Sequence, residues 1–589
     1  MAINRREAAF EGRVSAAKMA RDRIHPQHKA NGDEERYAAA HYLMSFTKGL
    51  HHNDLGVVAD PEDFRAFRRA IDEGFIDPFS KAVNPSPEKG RAWEAPTAGV
   101  VYDLQGPDAQ AVTMPPAPPL CSDELTFEMA EVYEQALLRD EPFTSFVGSA
   151  GAVQDSADRL NALPFASANF PGSRGRTTAA GGTLDAQTVF RGSSPGVEIG
   201  PYLSQFMLIG NRDLAAPNTG AAGVAEGLIR YGAQVIDQRV PAAPANADYM
   251  QTWPEWLEVQ NGKAVRDNEV LFAGGTRRFI ATPRDLATYV HDDALYQAYL
   301  NACMILLGMQ TPFDPAFEAL SGNGMFSVDP PERQAGGFAL YGGPHILTLV
   351  TEVATRALKA VRFQKFNVHI RLRPETLSGR LEKAGEIEDC FPYIRNCLTG
   401  MCDDLLGNDA DPAQSTLGLI RAMNPGGESL LPMAFQEGSP MHPAYGAGHA
   451  TVAGACTTIL KAFFDTDAVF VKQMVQSGGA KVASGTFKRF EKDDMPVAFE
   501  PAADGSQLDP VADPEWLTLE GELNKLAANI SIGRNMAGVH YYSDYYDSLR
   551  MGEEIAIGML EEQAICYPTD PFVLTVPTFD GPIRRIGAR

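Results

Sequence analysis

The sequence predicts a mainly α protein, a large helical body with two halves that each resemble a four-helix bundle. Three observations carry this expectation. Stretches of roughly 15–20 residues repeat apolar side chains at three- to four-residue spacing, the period of a helix face. Neither an internal repeat nor an alternation of strand and helix patterns is visible. Hydrophobic residues make up 44% of the 589 positions, enough for a sizeable core.

In order along the chain, a region 1–290 opens on two helical stretches, RREAAFEGRVSAAKMARDR and PEDFRAFRRAIDEGF. Residues 83–121 hold eight prolines and end in PPAPP, which predicts an extended excursion over the surface. A clear helix follows, ELTFEMAEVYEQALLRD, and then Gly-, Ser- and Pro-rich stretches such as SSPGVEIG. The region 291–589 has the cleaner pattern and is expected to be a helical bundle carrying the site. Its predicted helices are HDDALYQAYLNACMILL (291–307), GPHILTLVTEVATRALKAVRFQKF (343–366), HATVAGACTTILKAFF (449–464), LEGELNKLAANISIGRNMAG (519–538) and YYDSLRMGEEIAIGMLEEQA (545–564).

Composition excludes several classes of function. A net charge of −24 repels nucleic acid and anionic membrane and favours solubility. No run of about eighteen apolar residues occurs, so no membrane span is expected. The N-terminus is charged from its fifth residue and lacks an apolar core, so no signal peptide is visible, which makes a soluble, cytoplasmic protein the default. Seven cysteines without a CxxC pair read as free or partly buried thiols, with room for one bridge.

Three islands carry the chemistry. In KFNVHIRLRPE, Lys365 and Arg373 are eight residues apart, about 80° around a helix, so both can lean to one side. Pro374 disfavours the α conformation at Arg373 and places it at an element boundary. In SPMHPAYGAGHA, small residues lead from His442 through Ala447 and Gly448 into a helix. The free N–H groups at that helix start suit an oxyanion, with His449 beside it. In RNMAGVHYYSD, Arg534 and His540 would sit about 120° apart on an unbroken helix. Gly538 permits a break that brings them together, and Asp544 has the spacing to orient the His540 imidazole. Taken singly, each island has a bland reading: solvated charges, a Gly-rich helix start with an incidental histidine, and a structural histidine among aromatics.

Together the islands read K-x7-R-P, H-x4-A-G-H and R-x5-H-x3-D. This order resembles the active-site signature of the vanadium haloperoxidases and their acid-phosphatase relatives. The stretch HPQHKANGDEERYAAAHYLMSFTKGLHHN is similar to the N-terminal region of red-algal-type vanadium bromoperoxidases, so the likeness spans most of the chain. The resemblance implies a vanadate cofactor, a site that phosphate can also occupy, with Lys365, Arg373 and Arg534 holding the equatorial oxygens. It implies that His540 is the ligand to vanadium, His449 the acid–base residue at the apical oxygen, Gly448 a backbone donor and Asp544 the support of His540. Hydrogen peroxide, bromide and an organic acceptor are the implied partners, with Lys365 polarising the activated peroxide and a hypobromite-level oxidant leaving.

Three details bear on the halide. The Lys365–Arg373 offset matches the bromoperoxidase branch, His442 falls where bromoperoxidases carry histidine, and Arg362 matches a red-algal arrangement that helps hold the halide. Bromide is therefore expected, with iodide next and chloride last. Ala447 departs from the family pattern, which has serine there; a hydroxyl bonded to a charged oxyanion is worth about 1.5–3 kcal/mol. Red-algal relatives form large homo-oligomers, which makes self-association the expectation. They also carry a structural calcium, for which the sequence offers no matching cluster. Two other functions fit the residue types: an acid phosphatase using the same oxyanion site, and an anion-binding protein without turnover.

Overall fold

The computed structural model describes residues 4–166, 174–211, 223–265, 277–321, 337–407, 412–477, 480–567 and 573–587. Helices dominate, as expected, and strands occur among the described residues only as two-stranded antiparallel pairs. Eight helices position the site: α1 (Asp123–Leu137), α2 (Pro283–Asp292), α3 (Gln297–Gly308), α4 (Gly343–Phe363), α5 (Pro374–Glu382), α6 (Gly448–Phe463), α7 (Leu519–Met536) and α8 (Tyr542–Ala564).

The organising element is α6. Its sequence is apolar or small on every side, so no face is suited to water. It is buried along its whole length apart from His449, and packs against α4, α7 and α8. Two glycines let α6 and α8 touch backbone to backbone. A Cβ on Gly454 would fall inside contact distance of the Leu549 carbonyl, and one on Gly552 would strike that of Thr451. The main hydrophobic core runs from Tyr37 to Ile586.

The helix starts follow from local chemistry. Ser122 and Thr518 accept backbone N–H bonds at the starts of α1 and α7, and Thr282 with Asp285 closes a capping box on α2. The two predicted N-terminal helices form as Arg5–Asp22 and Pro61–Glu73. The second buries Phe64, Phe67, Ala70 and Ile71 in a smaller core shared with Phe366, which follows Lys365, and with Ile370.

The structure departs from the sequence reading in four places. The helix expected over 291–307 is two helices, α2 and α3. Asp293 is extended (ψ 147°), and an acidic pair at a helix C-terminus opposes the helix dipole. The stretch after α4 is not α-helical: it widens into a π turn over Gln364–His369, and the chain leaves it at Ile370 with φ 44°. The 80° relation of Lys365 to Arg373 therefore does not apply. The Pro-rich segment 83–121 holds no α-helix or strand, but it turns through short 3-10 helices at Ala98–Val100 and Ala109–Ala111 and does not stay on the surface. It buries Ala109, Met114, Ala117 and Leu120, and Gly99 packs directly on the Phe363 backbone. Finally, the helices between α5 and Met423 and the hairpin of β1 (Val469–Ser477) and β2 (Ala480–Lys488) were not legible beforehand. Cys121 and Cys397 form a disulfide that ties the end of the Pro-rich segment to a helix after α5.

The α6–α8 contact yields a test. G454A or G552A should lower thermal stability by about 1–3 kcal/mol through overpacking. Gly385, where a Cβ meets nothing within 4 Å, provides the control, since G385A should cost nothing.

Candidate active site

Each island lies where the helical pattern breaks. Lys365 sits in the π turn, an irregularity often found at functional sites. Arg373 is the cap residue of α5 in extended conformation, as Pro374 requires. Ala447 and Gly448 begin α6. Arg534 lies in the last turn of α7; Gly538 (φ 86°) then turns the chain, and His540 falls between α7 and α8.

These breaks bring the side chains together around segment 442–444. Lys365 Nζ donates to the carbonyls of Pro443 and Ala444 at 2.6 and 2.9 Å. Arg373 donates from Nε to the His442 carbonyl (2.9 Å) and from Nη1 to that of Val539 (2.7 Å). Arg534 donates to the Val290 carbonyl at 2.9 Å, while its Nε has no hydrogen-bond partner. All three cations are buried, and none forms an ion pair among the described residues. Arg371, just outside the site, pairs instead with both Glu128 and Asp544 (3.0 and 2.9 Å).

Uncompensated charge shows in the acid–base properties. Burial, then Arg373 and Arg362, pushes the Lys365 ammonium well below its usual range. Burial lowers Arg373 to about 9, with Arg534 adding repulsion, and burial also lowers Arg534. Burial followed by the neighbouring cations holds His442 and His540 well below the ordinary imidazole value, so both rings are neutral.

The hydrogen bonds define which nitrogen carries the proton. His540 Nδ1 lies 2.7 Å from Asp544 Oδ2 and donates to it; Nε2 keeps its lone pair, toward which Arg373 Nη1 points at 3.0 Å. Asp544 lies in the first turn of α8 and reaches back to His540, and it also accepts the Tyr541 N–H. His442 Nδ1 accepts from Arg373 Nη2 at 2.7 Å, so its Nε2 carries the hydrogen and faces Glu94 Oε2 at 3.4 Å.

A cavity of about 730 Å³ opens onto this group, lined among others by Arg362, His442, Gly448, His449, Arg534 and His540. Ala447 N–H donates to Ser548 Oγ at 2.8 Å, and no side chain caps α6 there. Two residues that sequence reasoning missed belong to the site. Asp293 Oδ1 lies 2.9 Å from His449 Nε2. Glu94, from the Pro-rich segment, pairs with Arg362. Only the expectation of one continuous helix hid Asp293; nothing in the local pattern marked Glu94. Among the described residues, no group of three or more His, Cys, Asp or Glu side chains could hold a metal ion directly.

Buried cations without ion-paired carboxylates among the described residues, the N–H groups at the start of α6 and a neutral imidazole whose Nε2 is unprotonated suit an oxyanion whose central atom accepts a nitrogen ligand. The fold and site therefore define a helical-bundle oxyanion-binding protein. A family model described as the VCPO second helical-bundle domain matches residues 426–564, which include the second and third islands. Vanadium-dependent bromoperoxidases of Corallina officinalis and Corallina pilulifera are each 41% identical to this chain, over 98% of it and 98% of theirs. The homohexameric structure of the second vanadate-dependent bromoperoxidase from Ascophyllum nodosum matches with a TM-score of 0.76 at 26% identity, covering 99% of this chain and 91% of that one. The chain belongs to the vanadium-dependent bromoperoxidase family.

Asp544 holds His540, the Tyr541 N–H and Arg371 at once. D544N is expected to cost about 2–4 kcal/mol, because Arg371 loses one of its two buried counter-charges. Chemical denaturation of the variant beside the parent protein measures this; an unchanged midpoint would show that Glu128 suffices.

Proposed function

We propose that this chain is a vanadate-dependent bromoperoxidase that uses hydrogen peroxide to oxidise bromide to a hypohalite-level species, which halogenates an organic acceptor. The observation that carries the reading is the buried trio Lys365, Arg373 and Arg534, without ion-paired carboxylates among the described residues, in a chain of net charge −24. A multiply charged oxyanion supplies the missing negative charge. Relatives 41% identical over 98% of the chain support bromide oxidation over the acid-phosphatase reading, which the residue types alone leave open.

In this reading Lys365, Arg373 and Arg534 would hold the oxygens of vanadate, and His540 would supply the nitrogen ligand through Nε2. Bound there, vanadate supplies Lewis-acid activation of peroxide without changing oxidation state. Asp544 keeps the His540 lone pair aimed at the site by fixing the proton on Nδ1. The N–H of Gly448, in the first turn of α6, donates to the same anion. His449 gives its Nε2 hydrogen to Asp293 and so presents Nδ1 as a base for the proton of incoming peroxide. The Lys365 ammonium would donate to the bound oxyanion and draw charge from it, and His442 and Arg362 would flank the halide. Overall, bromide, peroxide and one proton give hypobromous acid and water.

The coarser organisation follows the same reading. Region 1–290 wraps a C-terminal bundle, 291–589, that carries the oxyanion site, which agrees with Glu94, Glu128 and Lys48 all reaching toward it. Self-association into a homo-oligomer is supported by the homohexameric relative. No described helix is long and apolar enough to cross a membrane.

The test is bromide-dependent bromination of a phenol dye with peroxide, after chelation and again after adding vanadate. Activity that vanadate alone restores and phosphate blocks is the expected result. Hydrolysis of a phosphate ester without bromination would contradict the proposal.

A further inference from the structure

Glu94 lines the cavity beside Arg362 and His442, and it comes from the Pro-rich segment rather than from the bundle. Its carboxylate pairs with Arg362 Nη2 through one oxygen and stands 3.4 Å from His442 Nε2 through the other. Those are the two groups that flank the halide in the proposed function. Arg362 is buried in the last turn of α4 and cannot withdraw. Its Nη1 has no hydrogen-bond partner, and a Cβ on Gly448 would lie 3.9 Å from it, so this nitrogen faces the start of α6.

Glu94 is free to move where Arg362 is not. Its side chain is 55% exposed. Its backbone is held, since Glu94 N–H donates to the Met441 carbonyl at 3.1 Å and the next residue, Ala95, is fixed at φ 48°. A non-glycine residue in that region is strained and persists only where its surroundings require it. Swinging the carboxylate into water therefore needs only side-chain rotation. A monovalent anion arriving between Arg362 and His442 would meet a place already neutralised by one negative charge.

We propose that Glu94 is a specificity-determining residue of the halide site: its carboxylate occupies the Arg362–His442 position when no halide is bound and competes with bromide for it. The inference rests on the bromoperoxidase reading and adds the competing anion to it. Bromide must displace the carboxylate, so part of its attraction to Arg362 is spent on breaking an existing pair. The same carboxylate raises the concentration at which any anion can occupy that place.

E94Q keeps the shape and removes the charge. The expected result is a KM for bromide lowered by about three- to tenfold, the worth of a partly exposed charged hydrogen bond. The KM for peroxide and the affinity for vanadate should stay as they are. Acetate or formate added to E94A should inhibit competitively against bromide, by restoring a carboxylate to the vacated place. Halide NMR line broadening on the vanadate-free protein gives a readout independent of turnover: tighter bromide binding in E94Q, and none in R362M. A bromide KM that is unchanged or raised in E94Q would overturn the proposal, as would E94A bound by bromide no more tightly than the parent protein. Wild-type protein that fails to brominate with vanadate would instead contradict the function itself, so the two failures are distinguishable.

Discussion

The structure depends on one electrostatic constraint: several positive charges are buried together with too few negative ones. Lys365, Arg373 and Arg534 are each held by carbonyl oxygens rather than by carboxylates. Carbonyl dipoles orient a cation, but they do not cancel its charge, and an unpaired buried charge is costly. The rest of the fold can be understood as the apparatus that keeps these charges in place until an oxyanion compensates them. That need explains why the site sits where three helices break. A regular helix satisfies its own carbonyls, whereas the turns at 442–444 and 539 leave theirs for Lys365 and Arg373.

Two buried cations with carboxylate partners, Arg371 and Lys48, support that apparatus from outside. Arg371 lies between Glu128 of α1 and Asp544 of α8, with its guanidinium 3.9 Å above the Tyr541 ring. Lys48 donates to Glu375 at 2.6 Å and to the carbonyls of Glu437 and Ser439 at 3.0 and 2.7 Å. Glu375 follows Arg373 by two residues and Ser439 precedes His442 by three, so this pair fixes two islands relative to each other. Burial lowers the Lys48 ammonium to about 8, against the pull of Glu375. Lys48 belongs to the N-terminal stretch whose likeness to bromoperoxidases was evident in the sequence, and its contacts give that likeness a physical reason.

The site was legible in the sequence to the extent that local backbone chemistry determined it. Pro374 after Arg373, Gly538 between Arg534 and His540, and the small residues before His449 each announced a break, and each break is present. The spacing of His540 and Asp544 gave their hydrogen bond, although the helix starts only at Tyr542. What remained hidden depends on contacts distant in sequence. Glu94 lies 268 positions before Arg362, and Asp293 lies 156 before His449. Periodicity also misled where tertiary contacts overrode it, at the π turn of Lys365 and at the break before α3. The missing hydroxyl at Ala447 was visible in the sequence. The structure adds that Ser548 holds the Ala447 N–H, so the backbone at the start of α6 remains anchored without it.

If the buried cations await an oxyanion, binding one must stabilise the folded protein. The most direct measurement is the thermal unfolding midpoint of metal-free protein against rising vanadate, with phosphate and an equal ionic strength of chloride beside it. Saturable stabilisation by vanadate and by phosphate is expected, reaching about 2.7 kcal/mol at a hundredfold excess over Kd, with no comparable effect of chloride. A midpoint that neither oxyanion moves beyond the chloride control would contradict the account.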